Sequence, residues 1–216
     1  MKKLAFVLLI LSLITQTSFT QEVLFDGFGG YHIGTSKDYG SGQFRITDGE
    51  QFGGSINVDF NGNGRIGRLR YVRQFSEFFV DDSRVAPGEV KMSDLQVHWI
   101  QLGVYKQWDF SNEFHAFAGL DIGTAIFQPL NQTPDLIIRS LGTTARFNLN
   151  IHGGARYFFW KGLGVQVDAN LMLPADWAGQ YFSFGTGGPS VGISIGSTTL
   201  LPAFNAGLVY SFGKED

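Results

Sequence analysis

The sequence predicts an all-β chain, an eight-stranded antiparallel up-and-down transmembrane β-barrel. Three observations predict it. The stretch 143–160 sets Ala145, Phe147, Leu149, Ile151, Ala155, Tyr157 and Phe159 against Arg146, Asn148, Asn150, His152 and Arg156. That two-residue period gives a strand one greasy face and one hydrogen-bonding face, and the segment exceeds the roughly 9–11 residues needed to cross a bilayer. Seven further segments read as strands, and the connections between them alternate between short and long. Finally, charged residues are sorted by type between strand faces and loops.

The elements follow in order. The first strand, 25–36, is rich in Gly. The second, 50–60, carries Phe52, Ile56, Val58 and Phe60 on one face and Gln51, Ser55, Asn57 and Asp59 on the other. An Asn-Gly turn at 61–64 then makes a strong hairpin signal. The third, 65–80, puts Arg68, Arg70 and Gln74 on one phase and Leu69, Tyr71 and Phe75 on the other, with Arg73 on the apolar side. In the fourth, 92–108, Leu95, Val97 and Trp99 share one phase while Leu102 and Val104 take the opposite one. A β-bulge near Trp99 and Ile100 is the expected reconciliation.

The fifth strand, 113–127, opposes Phe114, Ala116, Ala118, Leu120 and Ile122 to His115, Gly119 and Asp121. The sixth is 143–160. Lys161 and Gly162 turn it into the seventh, 163–173, where Leu163, Val165, Val167, Ala169 and Leu171 alternate with Gln166, Asp168 and Asn170. The eighth, 199–212, has Leu200, Phe204, Ala206, Leu208, Tyr210 and Phe212 on its apolar side. Long connections fall at 37–49, 81–91, 128–142 and 174–198, and short ones at 61–64, 109–112 and 161–162. Short turns at one end and long loops at the other are the pattern of transmembrane barrels, and closure of an even number of strands removes every sheet edge.

Composition agrees. Of 216 residues, 15% are aromatic, 21 are Phe and 29 are Gly, while only 16% are charged, which is low for a soluble surface. The absence of Cys excludes disulfides, thiolate metal sites, a thiol nucleophile and a lipidated N-terminal Cys. Residues 1–20 read as a secretory signal: Lys2 and Lys3 precede an apolar run at 4–14, and the small Ser18 and Thr20 precede Gln21, the expected mature start. The run is shorter than the roughly 20 residues of a membrane helix. Without Lys2 and Lys3 the chain has 14 basic and 19 acidic residues, a net charge of −5, so no nucleic-acid partner is expected.

Period alone leaves the barrel's orientation open, since a soluble carrier buries its apolar face and a membrane barrel displays it. Charge type decides. Lys37, Lys91, Lys106, Lys161 and Lys214 occupy loops, turns or strand ends, and Glu22, Glu50, Glu77, Glu89, Glu113 and Glu215 likewise avoid strand middles. The polar phases hold Arg68, Arg70, Arg146 and Arg156 with Asp59, Asp121 and Asp168. A confined space favours Arg, whose planar fork satisfies several acceptors. Gly30, Gly34, Gly53, Gly119, Gly123, Gly154, Gly164 and Gly207 fall on the same inner phase, as a narrow lumen requires. Tyr157, Phe159, Tyr210 and Phe212 form an expected aromatic girdle at the short-turn end.

The segments 114–126, 145–159, 165–171 and 204–212 resemble, in order and number, the small eight-stranded outer-membrane barrels of Gram-negative bacteria. These are the OmpA and OmpX type and the broader outer-membrane β-barrel domain group, and the resemblance covers residues 22–213. It implies an outer-membrane address, contact with outer-membrane lipid including lipopolysaccharide, and handling by the barrel-assembly machinery. The last strand resembles that machinery's aromatic-ended signal, with the departure that Gly213, Lys214, Glu215 and Asp216 follow Phe212.

Sites are few. Asp59-Phe-Asn61-Gly-Asn63-Gly64 matches half a calcium loop, but Arg70 stands where the bidentate Glu belongs, so a hairpin turn is expected. His32, His98, His115 and His152 lack metal spacing and are expected as hydrogen-bonded filling of the inner face. No metal and no cofactor is expected. Some barrels of this kind deacylate lipopolysaccharide with a Ser-His-acid group. Here Gly153 and Gly154 follow His152 and no His-x-Ser element occurs, so no enzymatic role is expected. Gly185-Thr-Gly187-Gly188-Pro189 lacks the Lys-Ser/Thr and helix of a phosphate cradle. Trp177, Tyr181, Phe182 and Phe184 in the loop 174–198 either contact an extracellular ligand, partner or lipid or fold over the barrel mouth.

The expected interior is a structural polar network of Asp59, Arg68, Arg70, Asp121, Arg146, His152, Arg156 and Asp168. The expected role is structural or surface-interacting. The alternatives are a narrow conduit or binder for a small or hydrophobic molecule, entered through the loop 174–198, and a component of an envelope or secretion complex.

Overall fold

The computed structural model describes residues 22–39, 42–60, 62–83, 87–133, 141–175, 181–185, 188–192 and 200–213. The expected signal segment and its cleavage point at Gln21 lie outside these residues. Twelve strands are described, in the order β1 (Val23–His32), β2 (Thr35–Tyr39), β3 (Gly42–Ile46), β4 (Gly49–Asp59), β5 (Arg65–Asp81) and β6 (Glu89–Asp109), then β7 (Phe114–Leu130), β8 (Thr144–Trp160), β9 (Leu163–Ala175), β10 (Tyr181–Gly185), β11 (Gly188–Gly192) and β12 (Leu201–Phe212).

Eight of them form the barrel. β1, β4, β5, β6, β7, β8, β9 and β12 pair antiparallel in succession, and β12 returns to β1 through pairs such as Phe204 with Tyr31, closing the sheet. Following paired residues from Trp99 through Val72, Gly53, Phe28, Gly207, Gln166, Arg156 and His115 returns to β6 at Asp109, ten residues on. A closed sheet with such a stagger must tilt its strands about the axis. Residues at one height in the lumen are therefore not register neighbours.

The faces are sorted as a membrane requires. Val104, Leu102, Leu208 and Val167 are 66%, 63%, 59% and 56% exposed, while Arg156, Asp121 and Asp168 are 1%, 1% and 4% exposed. The apolar side chains of the band thus point outward, and Arg68, Arg70, Arg156, Asp121 and Asp168 are enclosed. Exposed aromatics form two belts. Trp108, Phe114, Tyr157, Phe159, Tyr210 and Phe212 ring the short-turn end, and Tyr31, Phe52, Phe75 and Phe204 lie toward the long-loop end. An apolar band between such girdles is about 25 Å tall in membrane barrels.

The turns follow from local chemistry. Asp59 accepts hydrogen bonds from the backbone N–H groups of Gly62 at 2.9 Å and Gly64 at 3.0 Å, and both glycines have positive φ, 64° and 70°. The Asp-x-Asn-x-Asn-Gly pattern is a hairpin turn. Lys161 and Gly162 also take positive φ between β8 and β9, as a two-residue primed turn requires.

Three sequence expectations are corrected. The region 37–49 is not simply loop. β2 and β3 form a hairpin there, and β3 continues the wall by pairing Ile46 through Gln43 with Phe78 through Asp81 of β5. No bulge interrupts β6 at Trp99 and Ile100, where its pairing with both β5 and β7 is regular. Leu95, Val97 and Trp99 face inward and Ile100, Leu102 and Val104 outward along one unbroken strand. The hydrophobic phase reverses because the surroundings reverse: beyond the apolar band the outer wall is polar and the lumen is apolar. The register shift on β5 lies instead between Phe78 and Phe79. His98 is not inner filling; it belongs to the outer phase and meets the hydroxyl of Tyr71.

Candidate functional site

The inner phases converge in three tiers. In the middle, β5 supplies two arginines. Arg68 Nε donates to Asp121 Oδ1 at 3.2 Å and its Nη2 donates to Oδ2. Arg70 reaches across the lumen to β9, donating to Asn170 Oδ1 at 2.8 Å and to Asp168 Oδ1 at 3.2 Å. Its guanidinium also lies 4.4 Å from the centre of the Phe28 ring. Asn150 donates to Asp121 at 2.8 Å, and Asn205 donates to Asp168 at 2.9 Å. His152 Nε2 stands 3.5 Å from Asp121 Oδ1. Buried ions are tolerable only when paired and hydrogen-bonded in this way.

Toward the long loops the lumen turns apolar. Phe28, Ile46, Val72, Leu95, Val97, Trp99, Ala125, Met172, Leu201 and Ala203 pack as one buried cluster. Its polar edges are satisfied in series: Trp99 Nε1 donates to Gln74 Oε1 at 3.0 Å, Gln74 donates to Ser76 at 3.1 Å, and Ser76 is 3.0 Å from His32.

Toward the short turns, Leu24, Ile66, Tyr105, Phe117, Phe158 and Val209 form a second cluster. Arg156 runs through it, donating to Gln166 at 2.8 Å and to the Tyr105 hydroxyl at 2.8 Å, with its guanidinium 4.4 Å from the centre of the Phe117 ring. His115 Nδ1 closes this end on Asp109 at 2.5 Å.

Of the residues expected in the polar network, Arg68, Arg70, Asp121, His152 and Asp168 meet in the middle tier. Arg156 is buried but belongs to the lower tier. Asp59 serves the turn after β4, where its two carboxylate oxygens accept from the N–H groups of Gly62 and Gly64. Arg146 lies half-buried near the upper end of β8, in register with Ala125 and away from the central pairs. Trp177 lies outside the described residues. Tyr181, Phe182 and Phe184 fall in β10, paired with β11.

Sequence reasoning missed Asp26. It is buried on β1, accepting from Ser55 at 2.5 Å and Asn57 at 2.8 Å. Leu24 and Phe28 flank it on the same phase and hid the polar signal. Asp26, Asp121 and Asp168 are enclosed with Arg68, Arg70 and Arg156 in the lumen, and Asp59 and Asp82 are buried as well.

No family model and no curated protein matches this sequence. Solved structures do. The outer membrane protein OprG of Pseudomonas aeruginosa superposes with a TM-score of 0.66 at 13% identity, over 88% of this chain and 95% of that one. The fold is that of the small eight-stranded outer-membrane β-barrels. Neisserial surface protein A superposes with a TM-score of 0.54 at 10% identity, over 89% of this chain and 97% of that one. At such identities the likeness is one of fold: strand count and closure are shared.

Proposed function

We propose that the chain is an integral outer-membrane barrel whose lumen is closed by its own side chains, serving a structural or surface-interaction role without catalysis. The observation that carries this is the Arg70–Asp168 pair spanning the lumen between non-adjacent strands, with side chains 2% and 0% exposed. Apolar clusters lie above and below it. An eight-stranded barrel has an interior about wide enough to be filled by side chains, and here charged, amide and aromatic groups occupy it in sequence. Outer-leaflet lipid, including lipopolysaccharide, and the barrel-assembly machinery during biogenesis are the partners this reading implies. Planar-bilayer recording with purified barrel is expected to give no large, stable conductance. A large, stable open state would overturn the closed-lumen reading.

A second reading draws on the apolar upper tier. Trp99, Met172, Leu201 and Ala203 belong to the buried apolar cluster at the long-loop end of the lumen, whose chemistry suits a small hydrophobic molecule. Deleting 176–199 would then abolish uptake of such a probe while the barrel kept its heat-modifiable gel shift. Unchanged uptake rejects this reading.

A further inference from the structure

The outward residues of β5 in the apolar band are Leu69, Tyr71, Arg73 and Phe75. Three are apolar or aromatic and one is a cation. Arg73 sits beside the upper aromatic belt, its guanidinium 4.9 Å from the centre of the Phe75 ring and 5.9 Å from that of Phe52. Nη2 donates to Gln96 Oε1 at 2.6 Å. Gln96 in turn meets His98, whose Nδ1 is 2.7 Å from the Tyr71 hydroxyl. The Nε–H of Arg73 has no hydrogen-bond partner, and among the described residues no carboxylate pairs with the guanidinium. Four polar side chains are thus gathered on the outside of the wall, above Leu69 and Ile100, with Phe52 on β4 and Ile126 and Gln128 on β7 as their register neighbours.

We propose that Arg73, supported by Gln96, His98 and Tyr71, binds the phosphate of an outer-leaflet glycolipid headgroup. This rests on the outer-membrane reading above. A cation on a lipid-facing wall reaches along its stem to the polar layer, and a guanidinium fork matches phosphate oxygens two at a time. The surrounding charges leave this cation available. Glu77 and Asp94, nearer the rim, are both engaged by Lys91, the latter at 2.8 Å. Glu50, exposed on β4 in the row adjoining Phe75, repels an anion and so bounds the site on that side. Position selects the source: the site adjoins the belt on the long-loop side, where the outer leaflet lies in barrels of this design.

The test is retention of lipid by the purified full barrel, read by native mass spectrometry in a mild detergent. The probes are bisphosphorylated lipid A, the same lipid A dephosphorylated, and phosphatidylglycerol. Wild type is expected to retain bisphosphorylated lipid A about tenfold or more better than the dephosphorylated form, the scale of a charge-assisted hydrogen bond. Arg73→Gln is expected to remove that preference, Arg73→Lys to keep part of it, and Glu50→Gln to strengthen it. Equal retention of the two lipid A forms by wild type overturns the site, and this comparison needs no variant to fold. A preference unchanged in heat-modifiable Arg73→Gln overturns the role of Arg73. Phosphatidylglycerol retained as well as lipid A overturns the glycolipid assignment. Failure of the chain to fractionate with outer membranes is a separate result, which would remove the reading beneath.

Discussion

Arg68 on β5 and Asp121 on β7 join above the strand that separates them. Both pair in register with Gly103 of β6, and the two side chains, each 1% exposed, meet over its Cα. A Cβ at Gly103 would fall well inside contact distance of Asp121 Oδ1 and the Leu120 carbonyl oxygen. The device recurs. Gln51 on β4 and Asn205 on β12 hydrogen-bond at 2.6 Å over Gly30 of β1, and a Cβ there would again meet the amide oxygen of Asn205.

Gly103→Val should therefore act as a break in the ion pair rather than as a simple surface change. The new side chain cannot share the space with the carboxylate, and the backbone oxygen beside it cannot yield cheaply. Separating a buried pair costs about 3–5 kcal/mol, so the unfolding midpoint in denaturant, followed by loss of heat-modifiable mobility, should fall accordingly. A loss below about 1 kcal/mol, the size of an ordinary surface effect, would show that the bridge over Gly103 contributes little.

Asp121→Asn isolates the cost of the charge. It leaves Arg68 buried without its anion and removes an acceptor from Asn150. The expected loss is about 3–5 kcal/mol, whereas the double change Arg68→Met with Asp121→Leu should recover most of it, because apolar filling of similar volume often replaces a buried pair without penalty. A denaturant series on the parent, single and double variants checks both. If the double variant is the least stable of the three, the pair is worth more than its desolvation and the argument reverses.

The two-residue period made the strands of the barrel legible, and the sorting of Arg and Asp away from Lys and Glu made legible the direction in which its faces point. Val167 outside and Asp168 inside follow directly from one alternation. Reading failed where the environment changes along a strand. By period alone Leu95, Val97 and Trp99 fall out of phase with Leu102 and Val104, which calls for a bulge, yet the strand is regular and the surroundings on each side have switched. The lumen was only partly legible because pairing across a tilted barrel joins residues far apart in sequence, such as Arg70 and Asp168. Glycines 30 and 119 could be placed on the inner phase by counting. Which side chains would meet above a glycine depends on the stagger, which no local pattern prints.

The lipid-facing wall is open to a direct test of depth. Val167, 56% exposed near the middle of β9, should not tolerate a charge. Val167→Arg is expected to cost about 2–4 kcal/mol in lipid, and Phe159→Arg, in the belt by the short turn, about 0–1 kcal/mol. Folding titrations into vesicles measure the two. Equal costs would mean that β9 does not cross the hydrocarbon.

Above the membrane the β2–β3 hairpin is tied to the neighbouring wall by Arg45, which donates Nε to Glu89 Oε1 and Nη2 to Oε2, both at 2.7 Å. Its guanidinium also lies 4.5 Å from the centre of the Phe79 ring. The hydrogen bonds from Arg45 hold the Glu89 carboxyl below its ordinary range. A carboxyl depressed in the folded state contributes its stability above the unfolded-state pKa and loses it as pH falls through the folded one. Acidification from neutral pH to below about pH 4, the ordinary range for Glu, should therefore loosen this tie while Arg45 stays charged. Because the pair is half exposed, the effect belongs to the hairpin and not to the barrel, and salt should weaken it. Amide exchange on β2 and β3, corrected for its intrinsic pH dependence, should rise at low pH in the parent but change little in Glu89→Gln. A parent hairpin equally protected at pH 7 and pH 3 would show that main-chain pairing of β3 with β5 holds it unaided.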